Sequence, residues 1–320
     1  MNLYLKRRIL LLFLILCAAL VFAVVNGSVN IPIKELFLKE NRLILSLRLF
    51  RVLVAIIAGS GLAVSGIVLQ AILRNSLAEP YLLGTSSGAG LAAVLTIIAG
   101  ISRVYLPFTA FIGALLSIIL VYNLARQNNK ITDQSLILSG VIISIASSAV
   151  VVFLISISNN EALHDMSWWL WGSLAVYDIK LLFTVSLIVI LGIALIYVFS
   201  QDLNAISLGE EEAIHLGVDI ERVKIILIVV ASLITASLVC ICGVIGFVGL
   251  MIPHLMRLVV GPNHRILIPT TCVASAIFMV ISDTLSRTVF SPLEIPIGVI
   301  TALLGVPTFI FLLKRRVKVK

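Results

Sequence analysis

The reactive side chains of this chain are few, and their spacing excludes more chemistry than it supports. Cys17, Cys240, Cys242 and Cys272 all lie inside apolar stretches, where a thiol serves as a small hydrophobe. Cys240-Ile-Cys242 lacks the spacing of a zinc site. His254 in PHLMR and His264 in GPNHR fit cap or hydrogen-bond roles better than metal ligation. The sequence contains no HExxH, no G-x-S-x-G in a strand–turn–helix setting and no paired acid motif. It also lacks G-x-x-x-x-G-K-[ST], so it binds no nucleotide through a P-loop. These absences point away from an enzyme; any ATP-driven work must be powered by a separate subunit.

One dense ionisable segment remains: SLGEEEAIHLGVD, Ser207 to Asp219. Ser207 with Glu210 three residues on fits a capping box. Glu210, Glu211 and Glu212 occupy a first turn, where the helix dipole favours negative charge. His215 falls in the last turn, and Gly217 can end the helix in a left-handed conformation. Asp219 can then cap the following helix. A helix of about two turns is not stable alone in water, so something must hold it. A helix lying on a membrane favours Lys and Arg on its polar face; this one is acidic, which points to a protein partner.

The elements that position this segment are greasy. Of 320 residues 61% are hydrophobic and 12% charged, with a mean hydropathy of +1.20. Soluble domains have about 25% charged residues. The chain is therefore an all-α integral membrane protein, since runs of about 20 apolar residues cross a bilayer as helices. Alternating segments of about ten residues, the mark of a β-barrel, are absent. Ten spans are expected, at about 9–25, 52–73, 81–101, 104–125, 135–157, 181–199, 223–243, 246–261, 266–285 and 295–313. Lys6-Arg7-Arg8 before Ile9–Val25 resembles a signal peptide, but the cleavage pattern is poor, so an uncleaved first span is expected. Over 223–261 an apolar stretch of nearly forty residues must cross twice, and only GVIGFVG marks the turn.

Ten spans place both termini on one side. With that side cytoplasmic, 15 of the 23 Lys and Arg face inward: Lys6, Arg7, Arg8, Arg74, Arg126, Lys130, Arg222, Lys224, Arg257, Arg265, Lys314, Arg315, Arg316, Lys318 and Lys320. The other 8 face outward: Lys34, Lys39, Arg42, Arg48, Arg51, Arg103, Lys180 and Arg287. The excess predicts termini in the cytoplasm. The net charge of +8 thus reflects topology, and no nucleic-acid patch is expected.

Small residues at Gly59–Gly66 and in GTSSGAG (Gly84–Gly90) suit close helix packing, or a moving seam. The fifth span carries Ser135, Ser139, Gly140, Ser144, Ser147 and Ser148 on a broad face, which suits a wet cavity or a helix interface equally. Trp168-Trp169-Leu170-Trp171 reads as an interfacial anchor, with substrate stacking the lesser reading. Asp283 and Glu79 are the few acids near spans. A carrier coupled to protons or sodium needs ionisable groups near the midplane, so their scarcity argues against that class.

Several stretches together resemble the FecCD-type permeases of ABC importers for iron-siderophores, haem and cobalamin. They are LRLFRVLVAIIAGSGLAVSG (47–66), LQAILRNSLAEPYLLGTSSGAG (69–90), WWLWGSL (168–174), GEEEAIHLGV (209–218), GVIGFVGLMIPHLMRLVVGPNHR (243–265) and SDTLSRTVFSPLEIPIGVITALLGVPTFIFLL (282–313). The resemblance implies a single permease domain (1–320) of the type II importer architecture, in the cell membrane. It implies a second permease copy, two cytoplasmic ATPase subunits and an extracytoplasmic substrate-binding protein. No cofactor is expected in this chain, since ATP and Mg belong to the ATPase. Ferric siderophore is the first substrate expectation, then cobalamin, then haem.

By the same resemblance, 207–217 is the cytoplasmic coupling helix, with Glu210, Glu211, Glu212, Ala213, His215, Leu216 and Gly217 meeting the ATPase. Arg48, Arg51 and Arg287 match positions that meet carboxylates of the binding protein, where an arginine fork suits a carboxylate; on residue type alone they read as interfacial anchors. Thr132, Asp133 and Gln134 match the gate, and Ser139, Ser144 and Ser147 the pathway wall. Two departures stand out. Arg48-Leu49-Phe50-Arg51 replaces the usual R-L-P-R, which predicts a less rigid start to the second span, and Ser76 replaces the proline of R-N-P-L-A, which predicts a looser turn.

Overall fold

The computed structural model describes residues 3–29, 31–127 and 130–317; Lys318 and Lys320 of the inward charge set lie outside them. Its helices, in chain order, are α1 (Leu3–Val25), α2 (Ile33–Leu36), α3 (Arg42–Ile72), α4 (Thr85–Ile98), α5 (Leu106–Ala125), α6 (Asp133–Ser156) and α7 (Asn160–Trp171). There follow α8 (Ile179–Val198), α9 (Ser200–Leu208), α10 (Glu210–His215), α11 (Ile220–Cys242), α12 (Val248–Val260), α13 (His264–Thr288) and α14 (Ile297–Val317). A short antiparallel pair, Arg126–Gln127 with Lys130–Ile131, lies between α5 and α6.

Among the described residues, seven helices are long and apolar enough to cross a membrane: α1, α3, α5, α6, α8, α11 and α13. Shorter apolar helices are Thr85–Ile98, Val248–Val260 and Ile297–Phe311, the last within α14. The ten correspond to the ten expected spans. The differences lie in the short ones. The 14 residues of α4 and the 13 of α12 rise about 20 Å, less than the roughly 30 Å of hydrocarbon.

Irregular backbone takes up the shortfall. Residues 243–247 run without helix from the end of α11, and a 3-10 turn, Pro80–Leu83, precedes α4. The two segments meet. The Phe247 N–H donates to the Glu79 carboxylate at 3.0 Å. The Ile245 N–H donates to the Tyr81 hydroxyl, which donates in turn to the Ile245 carbonyl, each at 3.1 Å. Behind them the Ser173 N–H donates to the Cys242 carbonyl at 2.8 Å. Non-helical backbone at membrane depth survives only where it is buried in protein that supplies such partners or lines a water-filled cavity.

α3 is the axle. From Ala58 to Ile72 every residue is buried, and α8, α9, α11, α12 and α13 pack around it. Small residues make this possible. A Cβ on Gly66 would collide with the Gly249 carbonyl of α12, and one on Gly88 of α4 with the Gly113 carbonyl of α5. Both seams singled out in the sequence are thus close-packing devices.

The two departures resolve simply. α3 begins at Arg42 and runs unbroken through Phe50, because phenylalanine keeps the N–H that proline lacks. At Ser76 the turn is held from the preceding residue: Asn75 accepts from the Leu77 N–H at 2.9 Å.

Candidate functional site

The acidic segment folds into two short helices, α9 and α10, broken at Gly209. The expected capping box does not form. α9 continues through Ser207, whose hydroxyl returns to the Leu203 carbonyl at 2.7 Å, a common use of serine within a helix. The break falls two residues later, where Gly209 adopts φ +153° and a Cβ would strike the Glu212 carboxylate.

The other end forms as the sequence predicts. Gly217 takes φ +83°. The Val218 N–H donates to Ala213 O at 3.0 Å and the Gly217 N–H to Ile214 O at 2.9 Å, the paired bonds of a Schellman cap. Asp219 caps α11 by accepting from the Arg222 N–H at 3.3 Å. Ala213 is fully buried; Glu211, Glu212, His215, Leu216 and Gly217 are exposed, as are Leu208 and Ile214. α10 thus presents a knob of mixed acidic and apolar character.

Glu210 points the other way, into an ionic cluster. The Lys224 ammonium on α11 donates to Glu210 Oε1 at 2.6 Å and to Asp133 Oδ1 at 3.1 Å. Arg74, beyond the end of α3 with φ +45°, lies 3.8 Å from Asp133 and 4.0 Å from Glu210. Two cations balance two carboxylates. The Lys224 hydrogen bond holds the Glu210 carboxyl below the usual carboxylate range. Stabilisation from this contact is therefore complete at neutral pH and fades as acid protonates Glu210.

Asp133 belongs to the expected gate turn and sits in the first turn of α6. Thr132 caps that helix reciprocally: its hydroxyl accepts from the Ser135 N–H, and the Ser135 hydroxyl from the Thr132 N–H, both at 3.2 Å. Ser135 also donates to Ala125 O at 2.8 Å, tying α6 to the end of α5. Gln134 is exposed. The cluster therefore joins the expected coupling helix to the expected gate. In the sequence Lys224 and Arg74 are no more than topology charges, and nothing local marks them, because Lys224 and Asp133 are 91 residues apart.

Much of the serine stripe of α6 packs within the chain, while Ser148 is exposed. Ser139 and Ser147 are buried, Ser144 lies 3.3 Å from Ser87 of α4, and a Cβ on Gly140 would meet the Leu82 carbonyl. The exposed face of α6 is apolar instead, with Leu138, Ile142 and Ile145 on it.

At the opposite end of the bundle, Arg48, Arg51 and Arg287 are 4%, 7% and 3% exposed. In the chain by itself the three forks are turned to internal partners. Arg48 caps α1, donating to Val24 O, Val25 O and Val29 O at 2.7–2.8 Å. Arg51 grips Asp283 at 2.9 Å and Glu294 at 2.8 Å, and Arg287 holds the other oxygen of Asp283 at 2.9 Å. Asp283 and Glu294 fill the forks of Arg51 and Arg287, and backbone carbonyls that of Arg48.

At that end a cavity of about 670 Å³ opens between the α4–α5 loop, α7 and Cys242–Gly243. Trp168, Trp169, His164 and the Arg103–Asp165 ion pair line it. His164 and Trp168 stack with ring centroids 6.1 Å apart.

Comparison with known proteins places this arrangement. The FecCD transport family model matches residues 11–315. The cobalamin import system permease protein BtuC of Halobacterium salinarum is 39% identical, over 85% of this chain and 73% of that one. The hemin transport system permease protein HmuU of Yersinia pestis is 37% identical, over 85% and 83%. A solved structure described as an inward-facing conformation of an ABC transporter, assigned to the metal-chelate type, superposes with a TM-score of 0.87. It shares 33% identity and covers 97% of this chain and 99% of that chain.

Proposed function

The chain belongs to the FecCD transport family, the permeases of metal-chelate, cobalamin and haem ABC importers, and on that premise we propose how its parts work. Two copies form the translocation pathway, each with both termini in the cytoplasm. The substrate is a ferric siderophore first, cobalamin or haem second. The α10 knob docks on a separate ATPase subunit, which binds ATP and Mg. A substrate-binding protein docks at the opposite end, where Arg48, Arg51 and Arg287 form the scaffold beneath the contact surface. Delivered substrate then meets the Trp168–Trp169 cavity.

The observation that carries this reading is α10 itself: an exposed acidic and apolar knob, capped at its C-terminal end and linked from Glu210 through Lys224 to the first turn of α6. Its test is reconstitution with the ATPase and binding protein in proteoliposomes. Glu211→Lys with Glu212→Lys should abolish ATP-dependent uptake, because like charges placed at a docking surface cost several kcal/mol. Undiminished uptake would refute the docking role. Uptake driven by an ion gradient with no ATPase would establish a secondary carrier instead. The chelate retained by the cognate binding protein identifies the substrate.

A further inference from the structure

We propose that Lys224 is the positioning residue that conveys movement of α10 to the gate end of α6, a role that rests on the importer reading above. Its ammonium is the atom shared by the two elements, 2.6 Å from Glu210 and 3.1 Å from Asp133. The Lys224 side chain is 15% exposed, against 43% for Glu210, so it is the shielded centre of the contact. Arg74 faces the same two carboxylates from longer range and is half-exposed. It balances charge without the direct bonds.

Both ends of the link are stiff. α10 is closed by its Schellman cap, and α6 by the Thr132–Ser135 exchange that also fastens it to α5. The direct hydrogen-bonded route from α10 to Asp133 therefore runs through one ammonium, with Arg74 alongside at 3.8–4.0 Å. A lysine suits this place because its ammonium is a point charge on a flexible stem, and it can keep two carboxylates while their helices shift. α10 otherwise packs mainly on α9, which rests chiefly on α3 and α13.

A static surface staple would contribute little, and the experiment separates the two roles. The complete importer, with its ATPase and binding protein, is reconstituted with Lys224→Met, Lys224→Arg or Asp133→Asn, and with Arg222→Met as an exposed neighbour control. Two quantities are read: uptake of a radioiron-labelled trihydroxamate chelate per ATP hydrolysed, and the ATP-induced change in a spin label at Gln134→Cys in a Cys17→Ser background. Lys224→Met and Asp133→Asn should lower the uptake-to-hydrolysis ratio about tenfold, within the usual range of coupling energies, and should flatten the Gln134 response. Lys224→Arg and Arg222→Met should keep both.

A parent-like ratio and label response in Lys224→Met would overturn the proposal. So would failure of Lys224→Met and Asp133→Asn alike to assemble, since the cluster would then be a folding element. If the parent importer carries no chelate, the substrate assignment falls while the spin label still decides the role of Lys224. If the parent shows neither uptake nor an ATP response, the importer reading itself falls.

Discussion

Arg51 is held by carboxylates from two distant parts of the chain, Asp283 and Glu294, 232 and 243 residues away. Removing Arg51 leaves Arg287 as the one cation on Asp283 and takes this cation from the partly exposed Glu294. Arg51→Met is expected to destabilise the protein by about 3 kcal/mol, the low end for breaking a buried ion pair, read as a fall in melting temperature in detergent. Arg51→Lys should not recover it, because one ammonium cannot reproduce a fork that bonds two carboxylates at once; an unchanged melt in either variant would contradict the assignment. The sequence marked this arginine as unusual, a cation on the side where cations are scarce. It could not name the partners, because they meet only through the packing of α3 against α13. Residue type alone made a free fork and a filled one look alike.

Helix ends were legible where the signal is local and lost where a neighbouring element overrode it. Gly217 and Asp219 behave as their residue types dictate. Ser207 does not, because α9 propagates through it and the break moves to Gly209. The cap at Gly217 has a measurable role: φ +83° suits glycine, and an L-residue there costs about 1–2 kcal/mol. Gly217→Val should fray the end of α10 and speed hydrogen exchange at the Val218 amide, which is protected by the Ala213 carbonyl. Parent-like exchange would show that the cap is dispensable. The serines of α6 teach the complementary lesson. Their spacing identifies a face, but periodicity cannot say what covers that face; here α4 and the turn before it cover most of it and leave Ser148 exposed.

The ten apolar runs of the whole molecule were readable from composition, because lipid forces each crossing to be apolar. The halting of α4 and α12 short of a full crossing was not, since the backbone that completes them is as greasy as a helix. The proposed orientation has a direct check. Single cysteines at Glu35 and Glu211, both exposed, are placed in a Cys17→Ser background. An impermeant maleimide added outside intact cells should label Glu35→Cys and spare Glu211→Cys; the reverse pattern would invert the topology. The unwound stretch 243–247 also bears on biogenesis. Its amides at Ile245 and Phe247 bond to groups encoded 164 and 168 residues earlier. Translation therefore delivers Tyr81 and Glu79 to the bilayer first, and the late segment is inserted against partners that are already waiting.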